Sequence, residues 1–368
     1  MADQTKSSKA YVIGIDSGTS STRAILFDEK GQALAEGRRA YDVLRPQPGW
    51  VEQKAVWWWE ALAGSIRDLL SKSPVKSEQI QGLAITHQRI TAVPVDRSIE
   101  PLRNAILWND IRCSEQNEKA LETVGREKIY QRTGYNPGIW TVYKAMWLQD
   151  NEPDIYHRMH KFLLVQDYLM YRLIGKLVTT SSAAVMTGCL DVGHRHRWAE
   201  DILEGFEISP SIWVENILSG GQIAGRIHRE ASLETGLPEG LPVVTAAGDQ
   251  PPAFPDGRRA LGDHVAPAGK LGMIDRVVHD LAKTVLDQRL HEAGQAHVPH
   301  PQFTAIGLRD GLGNVLDHGV KSRTSCCLGN VCVLCHLLNQ FSFSHVYPPV
   351  IYVFGIIAPG QVLKGHEA

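Results

Sequence analysis

The sequence lacks the features that would direct the chain to a membrane or to a nucleic acid. No stretch comes near the roughly 18 consecutive apolar residues that a membrane-spanning helix needs. The first ten residues are polar and carry two lysines, without the apolar core of a secretory signal. The formal net charge is −2 at pH 7, so no positive excess favours nucleic acid or an anionic membrane as a partner. We therefore expect a cytoplasmic protein.

Cysteine is scarce in most of the chain and crowded at one point. Cys113 and Cys189 stand alone, and four more lie close together at Cys326, Cys327, Cys332 and Cys335. In a cytoplasmic protein these are expected to be reduced thiols. Cys332 and Cys335 have the spacing of a zinc-ligand pair, with His336 beside them, but the sequence has no second pair. A chance cluster is favoured over a metal site.

Tryptophan is absent from the last third of the chain, although the chain has nine of them. Histidine shows the opposite bias, since nine of the 15 histidines follow residue 250. An apolar fraction of 43% beside 21% charged residues provides enough material for a packed core. The change in composition divides the chain into a regularly patterned domain, residues 9–250, and an unassigned part, residues 251–368.

Apolar periodicity in the first part predicts antiparallel hairpins, followed by helices and strands in alternation. Short β-branched runs predict strands at Tyr11 to Asp16, Arg23 to Phe27, Gln32 to Tyr41, Ile80 to Ile85 and Leu241 to Ala247. Apolar residues spaced along one face predict a helix over Ala55 to Leu70 and a long, interrupted helix over Tyr156 to Ile174. This order favours a mixed α/β fold with helices packed against a sheet.

Near the N-terminus, a strand that ends in a carboxylate leads into a turn of small residues. Asp16 is followed by Gly18, Thr19 and Ser20, and Arg23 lies on the next strand. Backbone N–H groups in such a turn can point together and bind a phosphate. A single carboxylate also suits Mg²⁺, which keeps water and phosphate among its ligands. An ordinary hairpin turn explains the same residues, and the spacing does not separate the two interpretations.

Polar residues follow two further buried strands, where they could face a polyol. Gln88 and Arg89 offer planar donors that can bridge neighbouring hydroxyls. Trp108 presents an apolar face suited to a carbon chain, with Asn109 and Asp110 beside it. Taken singly, a solvated strand end explains the first pair, and a core position explains the tryptophan.

A fourth polar segment closes the strand predicted at Leu241 to Ala247, where Gly248 precedes Asp249 and Gln250. A carboxylate there, after a glycine that lets a substrate approach, could accept the proton of an attacking hydroxyl. Ligands of α/β sheets tend to bind outside the carboxyl ends of the strands. The competing interpretation is an aspartate that caps a helix or forms a turn.

In this order, the segments resemble the FGGY family of carbohydrate kinases. Tyr11 to Arg23 looks like the family's phosphate-contacting hairpin, and Pro48 to Gln53 is similar to a segment of glycerol and xylulose kinases. Ile85 to Arg89 resembles glycerol kinases, and Ile106 to Arg112 resembles xylulose kinases. Further matches are Asp167-Tyr168-Leu169, Thr187-Gly188-x-Leu190-Asp191 and Gly248-Asp249-Gln250.

The resemblance implies an actin-like, ribonuclease-H-like fold with two domains about a cleft. It implies ATP and Mg²⁺ as cofactors and the phosphorylation of a sugar or polyol hydroxyl, with Asp249 as general base and Asp16 organising Mg²⁺. The residues expected to meet the phosphates are Gly18, Thr19, Ser20 and Arg23. The residues expected to face the sugar are Gln88, Arg89, Trp108 and Gln250.

Two departures from the family pattern limit what it implies. Ile90 stands where glycerol kinases place a glutamate, so a ketopentose such as xylulose is the first choice of substrate and glycerol the second. After Gln250 no second nucleotide-binding domain is recognisable, and the change suggests a shifted reading frame or an aberrant tail.

Three alternatives and the oligomeric state stay open. The chain could be a truncated, non-catalytic kinase remnant or a sugar-binding fragment. A chaperone or cytoskeletal ATPase of the same superfamily fits less well, because such proteins lack the sugar-facing segments. Nothing in the sequence decides whether the protein forms a homo-oligomer.

Overall fold

A computed structural model describes residues 10–194 and 196–246 of the chain. Its strands are β1 (Tyr11–Ser17), β2 (Ser21–Phe27), β3 (Ala33–Ala40), β4 (Glu52–Gln53), β5 (Ile80–His87), β6 (Ala92–Val95), β7 (Ala105–Ile106), β8 (Lys161–Leu164), β9 (Thr179–Thr180), β10 (Ile217–Leu218), β11 (Ile223–Arg226) and β12 (Pro242–Thr245). Its α-helices are α1 (Ala55–Lys72), α2 (Ser114–Thr123), α3 (Arg126–Thr133), α4 (Thr141–Asn151), α5 (Pro153–Arg158), α6 (Val165–Ile174), α7 (Ser181–Ala184), α8 (Glu200–Gly205) and α9 (Arg229–Thr235).

The largest sheet has six strands in the order β11-β12-β5-β1-β2-β3. β1, β2 and β3 pair antiparallel, whereas β5 runs parallel to β1 and β12 runs parallel to β5. The hairpins near the N-terminus and the mixed sheet predicted from the sequence are therefore present. The predicted boundary after residue 250 lies outside the described residues.

Helix α1 covers one face of this sheet. It packs against β1, β2 and β3 and buries Trp58, Trp59, Leu62, Ile66 and Leu69. Gly37 on β3 permits this close approach, because a Cβ atom at that position would lie 1.9 Å from the carbonyl oxygen of Ser65. None of the helices within residues 10–246 is both long and apolar enough to cross a bilayer.

A second sheet has four strands, in the order β4-β7-β6-β8. Its strand β8 corrects the sequence prediction of a long interrupted helix over Tyr156 to Ile174. Residues 161–164 pair antiparallel with β6, and α5 and α6 flank them as separate helices. Periodicity alone does not distinguish a short buried strand from a helical turn, so the pairing partner decides the local structure.

Candidate active site

The carboxyl ends of three neighbouring parallel strands meet at one edge of the six-stranded sheet. β1 and β5 end in register, at Ser17 and His87. β12, the next strand along, ends at Thr245. The turn after β1 and the polar segment after β5 therefore leave the sheet at the same edge, where α/β folds bind their ligands. Asp249 and Gln250 follow β12 but lie outside the described residues.

Hydrogen bonds within the protein hold the turn after β1 in place. Its closing hydrogen bond, 3.0 Å long, runs from the Gly18 N–H to the carbonyl three residues later. The Tyr41 hydroxyl donates to the Gly18 carbonyl, and Gln53 Nε2 donates to the Thr19 carbonyl at 2.7 Å. Ser20 at the tip is exposed. A held turn with an exposed hydroxyl suits phosphate contact, which stays a prediction.

Asp16 and Arg23 are cross-strand partners on β1 and β2, so their side chains lie on the same face of the sheet. Arg23 is exposed and forms an ion pair with Glu36 at 2.6 Å. Such surface pairs are weak, so the guanidinium can exchange this partner for a phosphate.

The half-buried position of Asp16 at a strand end fits a magnesium ion held mainly by water and phosphate. The described part of the chain contains no cluster of three His, Cys, Asp or Glu that would form a protein cage for a metal.

Gln88 is buried and its amide group is hydrogen-bonded within the protein. Its Nε2 donates to Gln53 Oε1 at 3.0 Å, and its Oε1 accepts from the Thr91 hydroxyl at 3.2 Å. Its backbone N–H donates to the Ser17 carbonyl at 2.8 Å. The backbone of Gln88 thus joins the end of β5 to the end of β1, and its side chain joins it to β4. The contact of Gln88 with a sugar stays a prediction.

Gln53, which sequence analysis gave no role, connects these segments. Its Oε1 accepts from Gln88 and also from the Trp58 indole at 3.0 Å, and its Nε2 donates to the carbonyls of Thr19 and Asp42. The partners lie up to 35 positions away in the sequence, so no local pattern could have indicated them.

Arg89 is half-buried and lies beside an aromatic pair. Its Nη1 is 3.4 Å from the sulfur of Met186, which is also 3.4 Å from the Tyr135 hydroxyl. The ring of Tyr135 stacks at 4.1 Å, centroid to centroid, on that of Trp140. Burial raises the pKa of Tyr135, and the nearby Arg89 charge partly opposes that rise. Met186, Tyr135 and Trp140 were not predicted as site residues.

Trp108 joins the phosphate turn to the sugar-facing segments. Its indole Nε1 donates to the Thr19 hydroxyl at 3.1 Å, and its backbone N–H donates to the Thr91 hydroxyl at the same distance. Although tryptophan is usually buried, its side chain is 40% exposed. The indole is therefore anchored at its nitrogen with a large part of its apolar surface open to a ligand.

A buried ion network holds the loop that carries Trp108. The Arg112 guanidinium bonds Asp110 at 2.7 Å and Glu52 at 2.8 Å. It lies 3.8 Å from the ring centroid of Trp50 and 4.9 Å from that of Trp147. Pairing and stacking together compensate the desolvation of this charge.

Lys144 on α4 is a further residue that sequence analysis missed. It is fully buried, and burial lowers its pKa to about 7. Its Nζ donates to the carbonyl of Ile90, which directly follows Arg89, and to the carbonyl of Leu107, which directly precedes Trp108. A lysine within the apolar periodicity of Trp140 to Gln149 was the available signal.

Most of the described part of the chain is similar to known proteins. Residues 11–254 match the model of the FGGY family of carbohydrate kinases, N-terminal domain. The chain belongs to this family. The FGGY chain is 33% identical over 237 residues to a xylulose kinase of Klebsiella pneumoniae, covering 64% of this chain and 48% of the relative. It is 33% identical over 249 residues to a glycerol kinase of Thermococcus gammatolerans, covering 66% and 49%.

The fold is also that of solved FGGY kinases. The crystal structure of xylulose kinase from Rhodospirillum rubrum superposes with a TM-score of 0.62 at 27% identity, covering 65% of this chain and 49% of that one. The actin-like, mixed α/β fold expected from the resemblance is thereby confirmed. The FGGY chain spans about half the length of the curated relatives it matches.

Proposed function

We propose that the chain provides the sugar-facing and phosphate-contacting half of an ATP-dependent kinase that phosphorylates a sugar or polyol hydroxyl. The observation that carries the proposal is the hydrogen bond from the Trp108 indole to the Thr19 hydroxyl, 3.1 Å long. It joins the segment expected to face the sugar to the turn expected to face the phosphates. A transferred phosphoryl group must reach its acceptor hydroxyl at such a junction.

In the proposed reaction, the residues position the reactants and neutralise charge. Gly18, Thr19 and Ser20 contact the phosphates of ATP, and Asp16 is the residue that would hold Mg²⁺. When bound, the metal would neutralise charge on the phosphates. Asp249, which follows β12 in the sequence, accepts the proton of the attacking hydroxyl. Phosphoryl transfer depends mainly on such positioning, and a placed base adds about 10² to 10⁴ in rate.

A ketopentose such as xylulose is the proposed substrate, ahead of glycerol. Ile90 is buried and apolar, so it offers no acceptor at the position where the family pattern of glycerol kinases has a carboxylate. The relatives named above include both xylulose and glycerol kinases at the same 33% identity, so similarity does not choose between them. A lost acceptor changes specificity strongly, because an unpaired hydroxyl is costly to bury.

A second candidate function is sugar binding without catalysis. Such a chain would retain the sugar-facing residues Arg89 and Trp108 and would bind a sugar without transferring phosphate to it.

Calorimetric titration of the full chain with D-xylulose and with glycerol tests both functions, followed by an ATP-coupled turnover assay. The kinase proposal expects saturable xylulose binding and ADP release that Asp249→Asn abolishes while binding persists. Binding without ADP release would favour the second function. Failure to bind either compound would reject both, and an unchanged rate for Asp249→Asn would remove Asp249 as the base.

A further inference from the structure

Lys144 is buried without a carboxylate partner. The side chain has no exposed surface, and no ion pair among residues 10–246 involves it. Lysine is almost never fully buried unless its charge is paired, so this position requires an explanation. The described contacts provide one, because both acceptors of the Nζ group are backbone carbonyls.

The two carbonyls belong to the two segments that are expected to face the sugar. Lys144 Nζ donates to the Leu107 carbonyl at 2.8 Å and to the Ile90 carbonyl at 2.9 Å. Leu107 directly precedes Trp108, and Ile90 directly follows Arg89. Ile90 lies in the connection between β5 and β6, and Leu107 directly follows β7, so one side chain bonds both connections at the site.

The backbone at Ile90 needs such support. Its φ angle is +67°, in the left-handed region, which is a true outlier for a β-branched residue. Strained residues of this kind persist only where the surroundings hold them, and they concentrate at functional sites. The Thr141 hydroxyl donates to the same Ile90 carbonyl at 3.2 Å, so the first turn of α4 holds this residue twice.

We propose that Lys144 is a positioning residue, which fixes the Arg89 segment and the Trp108 segment at one separation so that both side chains meet the same sugar. The proposal rests on the proposed sugar-binding function. Lys144 itself is fully buried and donates to the backbone of both segments, so it would act on the sugar through them.

The chemistry of the amine suits this role in either protonation state. Burial lowers the pKa of Lys144 to about 7, while Cys113 and Asp110 act to raise it and Arg112 acts to lower it. A neutral amine still has two N–H donors, which match the two carbonyls. The link between the segments therefore does not depend on the charge of the lysine.

The chain offers a matched control in Lys161 on β8. This lysine is also buried and also donates to two backbone carbonyls, of Ser211 at 2.7 Å and of Trp213 at 2.9 Å, and it has in addition an ion pair with the exposed Glu215 at 3.4 Å. Neither carbonyl belongs to a segment predicted to face a sugar or a phosphate. Lys161→Met should therefore lower stability as Lys144→Met does without affecting the site.

Hydrogen–deuterium exchange of the full chain, without ligand, tests the positioning directly. In Lys144→Met we expect amide exchange in residues 88–91 and 106–110 to become at least about tenfold faster than in the wild type. Lys161→Met should leave exchange in these segments unchanged. Equal exchange in the two variants would overturn the proposal. If Lys144→Met does not fold, Thr141→Val takes its place. We expect faster amide exchange in residues 88–91 alone in that variant. Unchanged exchange there would count against the proposal.

Titration with D-xylulose then links position to binding. We expect the dissociation constant to rise about 10- to 100-fold in Lys144→Met, to recover in part in Lys144→Arg and to stay unchanged in Lys161→Met. An unchanged constant in Lys144→Met would overturn the proposal. If the wild type itself binds no sugar, the proposed function fails, and the exchange measurement still decides whether Lys144 fixes the two segments.

Discussion

At the scale of single residues, the site depends on buried amide and amine groups, each of which bonds several segments of the chain. Gln53 makes four hydrogen bonds, two as acceptor and two as donor, to side chains and backbone from four parts of the chain. A buried amide of this kind specifies one arrangement, since any displacement leaves a polar group unpaired.

Replacing Gln53 by leucine should therefore destabilise the protein more than the loss of one hydrogen bond would. The change leaves the Gln88 amide nitrogen and the Trp58 indole N–H without the Gln53 oxygen that accepts from both, at about 1–3 kcal/mol for each buried unpaired group. We expect the free energy of unfolding, measured by urea titration of tryptophan fluorescence, to fall by about 2–4 kcal/mol.

Gln81→Leu is the control for this measurement. Gln81 is half-exposed and its Nε2 donates to the Gln79 carbonyl two positions away. We expect that change to stay within about 0.5 kcal/mol, as surface substitutions usually do. Equal effects of the two substitutions would mean that Gln53 does not connect the site as described.

At the scale of secondary structure, elements with strong local signals were predictable from the sequence. Ala55 to Leu70 was predicted as a helix and α1 spans Ala55–Lys72. The first strand was predicted over Tyr11 to Asp16 and observed over Tyr11–Ser17. Both have an apolar pattern that the tertiary structure reinforces.

The elements and residues that were missed depend on partners distant in sequence. β8 exists because β6 pairs with it, and that pairing overrides a helical pattern. Lys144 and Gln53 acquire their roles from carbonyls and amides far along the chain. The strand ends that carry Gln88, Arg89 and Trp108 could be predicted, whereas the groups that hold them could not.

The contact between β3 and α1 predicts a large effect for Gly37→Ala. The added Cβ would lie 1.9 Å from the Ser65 carbonyl oxygen and 2.8 Å from the Leu69 nitrogen, so helix and strand must separate. Overpacking of this kind costs about 1–3 kcal/mol or more. The midpoint of thermal unfolding should fall accordingly.

Gly220→Ala provides the comparison, because a Cβ at Gly220 meets no atom within 4 Å. We expect the unfolding midpoint of this variant to match that of the wild type. A similar midpoint for Gly37→Ala would show that α1 can move away from β3 without loss.

At the scale of the whole molecule, two buried groups make stability depend on pH near neutrality. Burial raises the pKa of Asp167 from 3.8 to about 7, and the nearby Thr179 hydroxyl and the hydrogen bond from the Leu164 N–H only partly oppose it. Burial lowers the pKa of Lys144 from 10.5 to about 7. Each shift is in the direction that favours the uncharged form in the folded state.

The two pKa shifts predict that the free energy of unfolding changes with pH in opposite directions below and above pH 7. Between pH 4 and 7 the folded state holds a proton on Asp167 that the unfolded state has lost, so the free energy of unfolding decreases as pH rises. Between pH 7 and 10 the unfolded state holds a proton on Lys144 that the folded state lacks, so the free energy of unfolding increases. Each contribution is limited to about 1.4 kcal/mol per pH unit.

Urea titrations across this range, on the wild type and on two variants, test the assignment. Asp167→Asn should make the free energy of unfolding depend less on pH only below pH 7. Lys144→Met should make it depend less on pH only above pH 7. If the free energy of unfolding of Asp167→Asn changes with pH between 4.5 and 6.5 as that of the wild type does, groups other than Asp167 cause the change.

The burial of Lys144 also has a calorimetric consequence. Above pH 7, unfolding exposes this amine to water, where it takes a proton from the buffer. The heat absorbed during a thermal scan then includes the enthalpy of ionisation of the buffer, in proportion to the protons transferred. Scans at pH 8.5 in buffers of high and low ionisation enthalpy should give different apparent unfolding enthalpies at the same transition temperature, and their difference counts the protons taken up.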